Sequence, residues 1–260
     1  MKAISLAKFE EGIVNEDAAI AKENVIAVSD GAGGGGVFAE RWSHYLVNHL
    51  PDQPIKNYKA FDKWIDGIWE PFYNECEEEA KKIGGLFLNK FYDEGSFATL
   101  VAVWKNGVWI SYGDSVAFCY NKKTRELQHS FTRLADFNNP PYLINFKDPL
   151  NEEGFRRGMF KVDDDSIVFA ASDTLAHYIL MMYEVVHKEV YTNELKEAID
   201  AQTKNSDFIK TAMAMENTDF EKNVIRKFQN CFTWPFLLNH INSLKKNSLI
   251  GNDDYSFVIF

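Results

Sequence analysis

The pair Asn106-Gly107 stands between two apolar, β-prone runs, residues 97–104 and 108–112. Asn-Gly supplies the positive backbone φ that tight hairpin turns need, and a hairpin joins antiparallel neighbours. The chain is therefore expected to be built on antiparallel pairing rather than on a parallel βαβ series. Short apolar runs at 25–28, 116–120, 166–171 and 255–260, with weaker ones at 3–7 and 127–131, read as further strands. Helical patterning covers 37–50 and then 58–83, with a break expected near Pro71 and a stop at Gly84-Gly85. Three or four more helices are expected between 175 and 246, and the stretch 138–158, with Pro140, Pro141 and Pro149, reads as an irregular loop. Strands come early and helices late, with no repeat and no linker. This predicts one domain over 1–260 of the α+β class, with helices layered on sheets.

Composition narrows what such a domain can meet. Twenty-eight basic residues against 38 acidic ones leave a net charge of −10. Such a surface repels phosphate backbones and anionic headgroups, so neither nucleic acid nor membrane is an expected partner. Cys76, Cys119 and Cys231 are scattered, with no CxxC spacing. That argues against a disulfide framework or a cysteine zinc site and for a reducing compartment. The first residues lack the apolar core of a signal peptide, and no run approaches the roughly 20 apolar residues of a membrane span. A cytoplasmic location is expected.

Aspartates recur where apolar strands end. Asp30 follows the run 25–28, Asp114 follows 108–112, Asp173 follows 167–171, and Asp253 precedes 255–260. Glu16-Asp17 lies beside the first expected strands. An isolated Asp-Gly is ordinarily a turn. Several strand-end carboxylates of one sheet system converge on one rim, where they repel each other unless cations neutralise them. All-oxygen donors suit Mg²⁺ or Mn²⁺ better than zinc. The glycine run 31–36 has neither the Lys-Ser/Thr of a phosphate-binding P-loop nor the spacing of a dinucleotide fingerprint. The six histidines form no metal-binding spacing, Asp163-Asp164-Asp165 reads as a solvated turn, and Trp64, Trp69 and Phe72 read as one core-facing stripe.

Six ordered motifs carry a resemblance: Asn15-Glu16-Asp17-Ala18, Val28-Ser29-Asp30-Gly31, Gly95-Ser96-Phe97-Ala98-Thr99, Gly113-Asp114-Ser115, Ala171-Ser172-Asp173 and Asp253-Asp254-Tyr255-Ser256. Their order and strand-end placement resemble the metal-dependent (PPM, type 2C) serine/threonine protein phosphatases. The resemblance implies a four-layer αββα sandwich, two antiparallel sheets flanked by helices, with two Mn²⁺ or Mg²⁺ ions at one end. Asp30 would bridge both ions. The Gly31 carbonyl and Glu16, directly or through water, would serve one ion, and Asp173 and Asp253 the other. Asp114, with Asp173, would match a third, weaker site. Asp17 would stand behind these ligands and hold water at the metals. The implied reaction is hydrolysis of phosphoserine or phosphothreonine on a protein, with Asp30, Asp173 and Asp253 as the residues that carry it.

The sequence departs from that family at three points. Gly12 stands where the family has an arginine that binds substrate phosphate, and Lys8 is the candidate to replace it, as a point charge without a bidentate fork. Thr174 follows Asp173 where the family has glycine, and Val116 follows Gly113-Asp114-Ser115 where it has arginine. These departures motivate two alternatives: a catalytically impaired regulatory or phosphoprotein-binding module on the same fold, and a phosphatase for a small phosphorylated metabolite.

Overall fold

The hairpin forms where Asn106-Gly107 places it, through a three-residue loop in which Gly107 takes φ +83° and its N–H donates to the Trp104 carbonyl at 2.8 Å. The computed structural model describes residues 1–34 and 36–260, so Gly35 of the glycine run lies outside the described residues. In chain order the strands are β1 (Lys2–Leu6), β2 (Ala18–Ala21), β3 (Val25–Ser29), β4 (Phe97–Ala98), β5 (Leu100–Trp104) and β6 (Val108–Tyr112). They continue as β7 (Val116–Asn121), β8 (Leu127–His129), β9 (Ile144–Asn145), β10 (Phe155–Met159), β11 (Ser166–Ala171) and β12 (Tyr255–Ile259). The helices are α1 (Ala39–Asn48), α2 (Tyr58–Ile83), α3 (Gly85–Asp93), α4 (Asp173–Val186), α5 (Thr192–Asp200), α6 (Lys204–Met213), α7 (Arg226–Gln229) and α8 (Trp234–Lys246).

Two five-stranded antiparallel sheets carry the fold, in the orders β1-β12-β11-β7-β8 and β10-β6-β5-β3-β2, with β4 and β9 paired separately. Side chains alternate along each strand, so one strand feeds two cores. In β3, Ile26 and Val28 meet Val101, Val103, Ala117 and Val168 between the sheets, while Val25 and Ala27 pack towards α1 and α2. In β11, Val168 and Ala170 face the other sheet, while Ile167, Phe169 and Ala171 pack with α4 residues such as Tyr178 and Met182. Helices therefore cover the outer face of each sheet, and the α+β, αββα layering expected from the sequence is what forms. Strands buried on both faces read as continuous apolar runs, which is why 25–28 and 167–171 lack alternation.

Several local expectations needed tertiary correction. Helix α2 runs through Pro71 unbroken. Proline removes one N–H and crowds the carbonyl four residues back. Here that residue is Gly67, and both lie on the exposed face, where the freed carbonyl is open to solvent. Gly84 ends α2 with φ +71°, and a helix absent from the sequence reading, α3, starts at once. Residues 97–104 divide into β4 and β5. The stretch expected to be loop, 138–158, contains β9 and most of β10. β10, Phe-Arg-Arg-Gly-Met, has no apolar alternation and is a strand because its backbone pairs with β6, Phe155 opposite Tyr112 and Met159 opposite Val108. The late region holds five helices among the described residues, against three or four expected. Glu75 and Glu79 each meet the Arg41 guanidinium at 2.6 Å and tie α2 to α1. Phe72 is buried as expected, while Trp64 and Trp69 are only partly so. The three cysteines are free and buried. Among the described residues no helix is long and apolar enough to cross a membrane.

Candidate active site

Antiparallel pairing brings the strand ends that bear aspartates to one edge of the sandwich. β11 ends and β12 begins together, with Ala171 opposite Phe257, and β1 ends beside them, with Leu6 opposite Tyr255. In the other sheet β3 ends where β2 begins, Ser29 opposite Ala18. Asp173, Asp253, Asp30 and Asp17 therefore project from adjacent ends, joined by Asp114 from the β6–β7 turn.

Asp30 is set by backbone and hydroxyl contacts. Its N–H donates to Thr99 Oγ1 at 3.2 Å, and its carbonyl accepts the Thr99 N–H at 2.8 Å. The Ser29 hydroxyl donates to the Thr99 carbonyl at 2.6 Å, and Thr99 Oγ1 lies 2.8 Å from Ser115 Oγ. These contacts explain the buried polar residues around the turn: each hydroxyl has a partner.

The carboxyl groups interact strongly. Asp30, Asp114, Asp173 and Asp253 keep one side open to water but are otherwise densely surrounded, and Asp17 is 1% exposed. Burial holds the Asp30 pKa well above the usual carboxylate range, and the charges of Asp17, Asp173, Asp114 and Asp253 push it further. Burial and then the Asp173 charge raise Asp114 to about 8. Asp173 rises to about 6, from burial and the Asp253 charge, while hydrogen bonding from Thr174 pulls in the other direction. Asp253 is raised chiefly by burial, which the Lys8 charge partly offsets. Asp17 is raised well above its ordinary value by burial, which the nearby Ser172 and Ser256 hydroxyls partly oppose, although neither of its carboxyl oxygens has a hydrogen bond of good geometry among the described residues. Five mutually repelling carboxyls thus share one region. Among the described residues, no three His, Cys, Asp or Glu side chains are gathered closely enough to hold an ion between them.

Glu16 sits apart from this group. Its Oε2 lies 3.6 Å from Lys8 Nζ, and burial followed by the Lys8 and Asp254 charges governs its ionisation. Glycine makes room for it: a Cβ on Gly33 would fall 1.9 Å from Glu16 Oε1, and one on Gly31 would fall 2.6 Å from the Glu16 carbonyl oxygen. The Gly31 N–H donates to that carbonyl at 3.1 Å, and the Ser43 hydroxyl donates to it at 2.6 Å. Lys8 is close enough to Asp254, Glu16 and Asp253 for all three to favour its charged form against the opposing effect of burial. Gly12 lies in an exposed turn with φ +78°. The expected aspartates are thus brought together, and Glu16 and Lys8 stand beside them.

One residue of this edge escaped the sequence reading. Asp254, 4% exposed, accepts the Lys8 N–H on Oδ1 and the Glu16 N–H on Oδ2, each at 2.7 Å. The signal available was the doubled acid in Asp253-Asp254; its two partners lie more than 230 positions away in the chain.

Sheet order, layering and this acidic edge can be set beside known proteins. No family model matches the sequence, and no curated protein matches it either. Solved structures do. The catalytic domain of the serine/threonine protein phosphatase PstP, solved with two manganese ions, aligns over 99% of this chain and 95% of its own at 16% identity, with a TM-score of 0.50. PppA, described as a key regulatory component of T6SS in Pseudomonas aeruginosa, aligns over 99% of this chain and 94% of its own at 14% identity, with a TM-score of 0.51. The chain has the type 2C phosphatase fold. At such identities the phosphatase likeness is one of architecture.

Proposed function

We propose that this chain is a metal-dependent phosphatase that hydrolyses phosphoserine or phosphothreonine esters on a protein substrate. The observation that carries the reading is the gathering of Asp30, Asp114, Asp173 and Asp253 from the ends of separate strands, close enough that the charges of the other three all raise the Asp30 pKa. A structure that only needed stability would not bury like charges together, because each loses hydration and gains repulsion. Divalent cations offset both effects. The donors are all oxygens, the ligand chemistry of Mg²⁺ and Mn²⁺, and the two carboxyl oxygens of buried Asp17 fit a role in holding water beside such ions. By the family's pattern the residues that would hold them are Asp30, the Gly31 carbonyl and Glu16 for one, and Asp30, Asp173 and Asp253 for the other, with Asp114 and Asp173 at a third. As placed among the described residues, no three of these side chains stand close enough to share an ion and Glu16 is paired with Lys8, so binding would have to draw the carboxylates together and release Glu16 from that pair. When bound, a pair of divalent ions neutralises phosphoryl charge and makes water acidic enough to attack at neutral pH.

The chain's own residues have distinct tasks in this reading. The Thr99 contacts fix the Asp30 backbone, so its carboxyl need not reorganise during turnover. Lys8 supplies the positive charge that meets the substrate's phosphate in place of the absent arginine at Gly12. In an acidic protein, a cation held between Glu16 and Asp253 gives an anionic substrate one favourable point of approach.

The test is hydrolysis of para-nitrophenyl phosphate and of a phosphothreonine peptide with and without Mn²⁺. The expected result is Mn²⁺-dependent turnover that disappears in the double variant Asp30→Asn, Asp173→Asn. Turnover no higher in the wild type than in that variant removes the enzyme reading. The alternative, a phosphoprotein-binding module, draws on one observation: Gly12, Thr174 and Val116 alter the substrate side while the metal-side carboxylates remain. Phosphopeptide binding with Mn²⁺ uptake and no turnover would favour it.

A further inference from the structure

Lys8 and Glu16 sit near the two ends of the loop between β1 and β2; the Asn15 amide donates to the Ser5 hydroxyl of β1 at 2.5 Å, but only one side chain bridges the backbones of Lys8 and Glu16 themselves. It belongs to Asp254. The residue immediately precedes β12, and β12 pairs with β1 so that Tyr255 lies opposite Leu6. From there its carboxylate reaches both loop ends, Oδ1 to the Lys8 N–H and Oδ2 to the Glu16 N–H, each at 2.7 Å. These are short, charge-assisted bonds on a buried acid. Both oxygens act as acceptors at once. An asparagine could accept only one of the two N–H groups and would turn its own NH₂ against the other. The loop so held carries the Lys8 ammonium 3.6 Å from Glu16 Oε2.

We propose that Asp254 is a positioning residue for substrate binding: by clamping both ends of the 8–16 loop it presents the Lys8 ammonium to the substrate's phosphate. This rests on the phosphatase reading and names how that site recognises its substrate. Because Asp254 acts through Lys8, its loss weakens capture of phosphate and leaves the chemical step in place.

The experiment compares the wild type, Asp254→Asn, Lys8→Gln and the double variant in saturating Mn²⁺, with kcat and KM measured separately on para-nitrophenyl phosphate. Inorganic phosphate binding is measured by titration calorimetry in Mg²⁺, a readout that needs no turnover. Asp254→Asn is expected to raise KM and the phosphate Kd about tenfold with kcat within about twofold, the scale of one lost charge-assisted hydrogen bond. Lys8→Gln is expected to match it, and the double variant to be no worse than Lys8→Gln alone. A fall in kcat at unchanged KM would place Asp254 with the metal-side carboxylates and overturn the proposal, as would additive losses in the double variant. If Asp254→Asn does not fold, Lys8→Gln decides: an unchanged KM and phosphate Kd in that variant overturns the proposal. A wild type that neither turns over nor binds phosphate removes the phosphatase reading and this inference with it. An active wild type with an indifferent Asp254→Asn removes this inference alone.

Discussion

Glu184, on the inward face of α4, gives a sharp test of the packing. It is 2% exposed, its Oε2 has no hydrogen-bond partner among the described residues, and burial with the nearby Glu194 charge pushes its pKa up to about 8. The folded protein therefore carries this side chain as a neutral acid at pH 7, while the unfolded chain ionises it near 4.5. A folded pKa above the unfolded one means that the folded state binds the extra proton. Stability is then fully present below about pH 4.5 and declines as pH rises through the interval to about 8, where the loss levels off. At 1.36 kcal/mol per unit, the loss is about 3 kcal/mol at pH 7 and about 5 kcal/mol above pH 8, an upper figure that relaxation of the site reduces. Glu184→Gln cannot titrate. Whatever fixed cost the amide carries, it is the same at every pH. Urea unfolding of both proteins from pH 4.5 to 9 is the assay. The gap in unfolding free energy, variant minus wild type, is expected to widen by several kcal/mol across that range. A gap that stays constant with pH would refute the assignment of a neutral, buried Glu184.

His177 is 5% exposed and held neutral, its pKa pushed down to about 4 by burial; the unfolded chain protonates it near 6.5, so stability that is complete above that pH falls by about 3 kcal/mol towards pH 4, and His177→Phe should flatten that part of a melting-temperature profile. Trp42 is fully buried against Phe72 and Phe146, and its indole N–H donates to the Ile144 carbonyl at 3.0 Å; Trp42→Ala should cost about 4 kcal/mol in chemical denaturation, and a cost below about 1 kcal/mol would contradict the packing of α1 on its sheet. Gly33→Ala would drive a Cβ into the Glu16 carboxylate while keeping an allowed backbone; the expected result is an unchanged melting temperature with at least tenfold weaker Mn²⁺ activation of hydrolysis. Asp30→Asn should reduce Mn²⁺-dependent turnover by at least about 100-fold and leave the circular dichroism spectrum intact, since it removes a charge from an overcrowded acidic edge.

How much was legible before the fold depends on the range of the forces involved. Turn chemistry acts over three or four residues, so the Asn106-Gly107 hairpin could be read directly, and the apolar runs of β3, β7, β11 and β12 announced strands buried on both faces. Strand-end aspartates were visible for the same local reason: Asp30, Asp114 and Asp173 each follow an apolar run. What needed the tertiary structure were features whose partners are remote. β10 has an unremarkable pattern and exists through its backbone pairing to β6. Pro71 stays inside a helix because Gly67 and open water accommodate it, a matter of which face points outward. Glu16 belongs with Lys8 and not in the thick of the aspartates, because Asp254, 238 residues further on, holds its backbone. Local sequence determines which residues end a strand, since turn geometry and side-chain alternation are short-range. Which of those ends meet is decided only when sheets pair and stack, because that choice is made by hydrogen bonds and burial between segments that have no pattern in common.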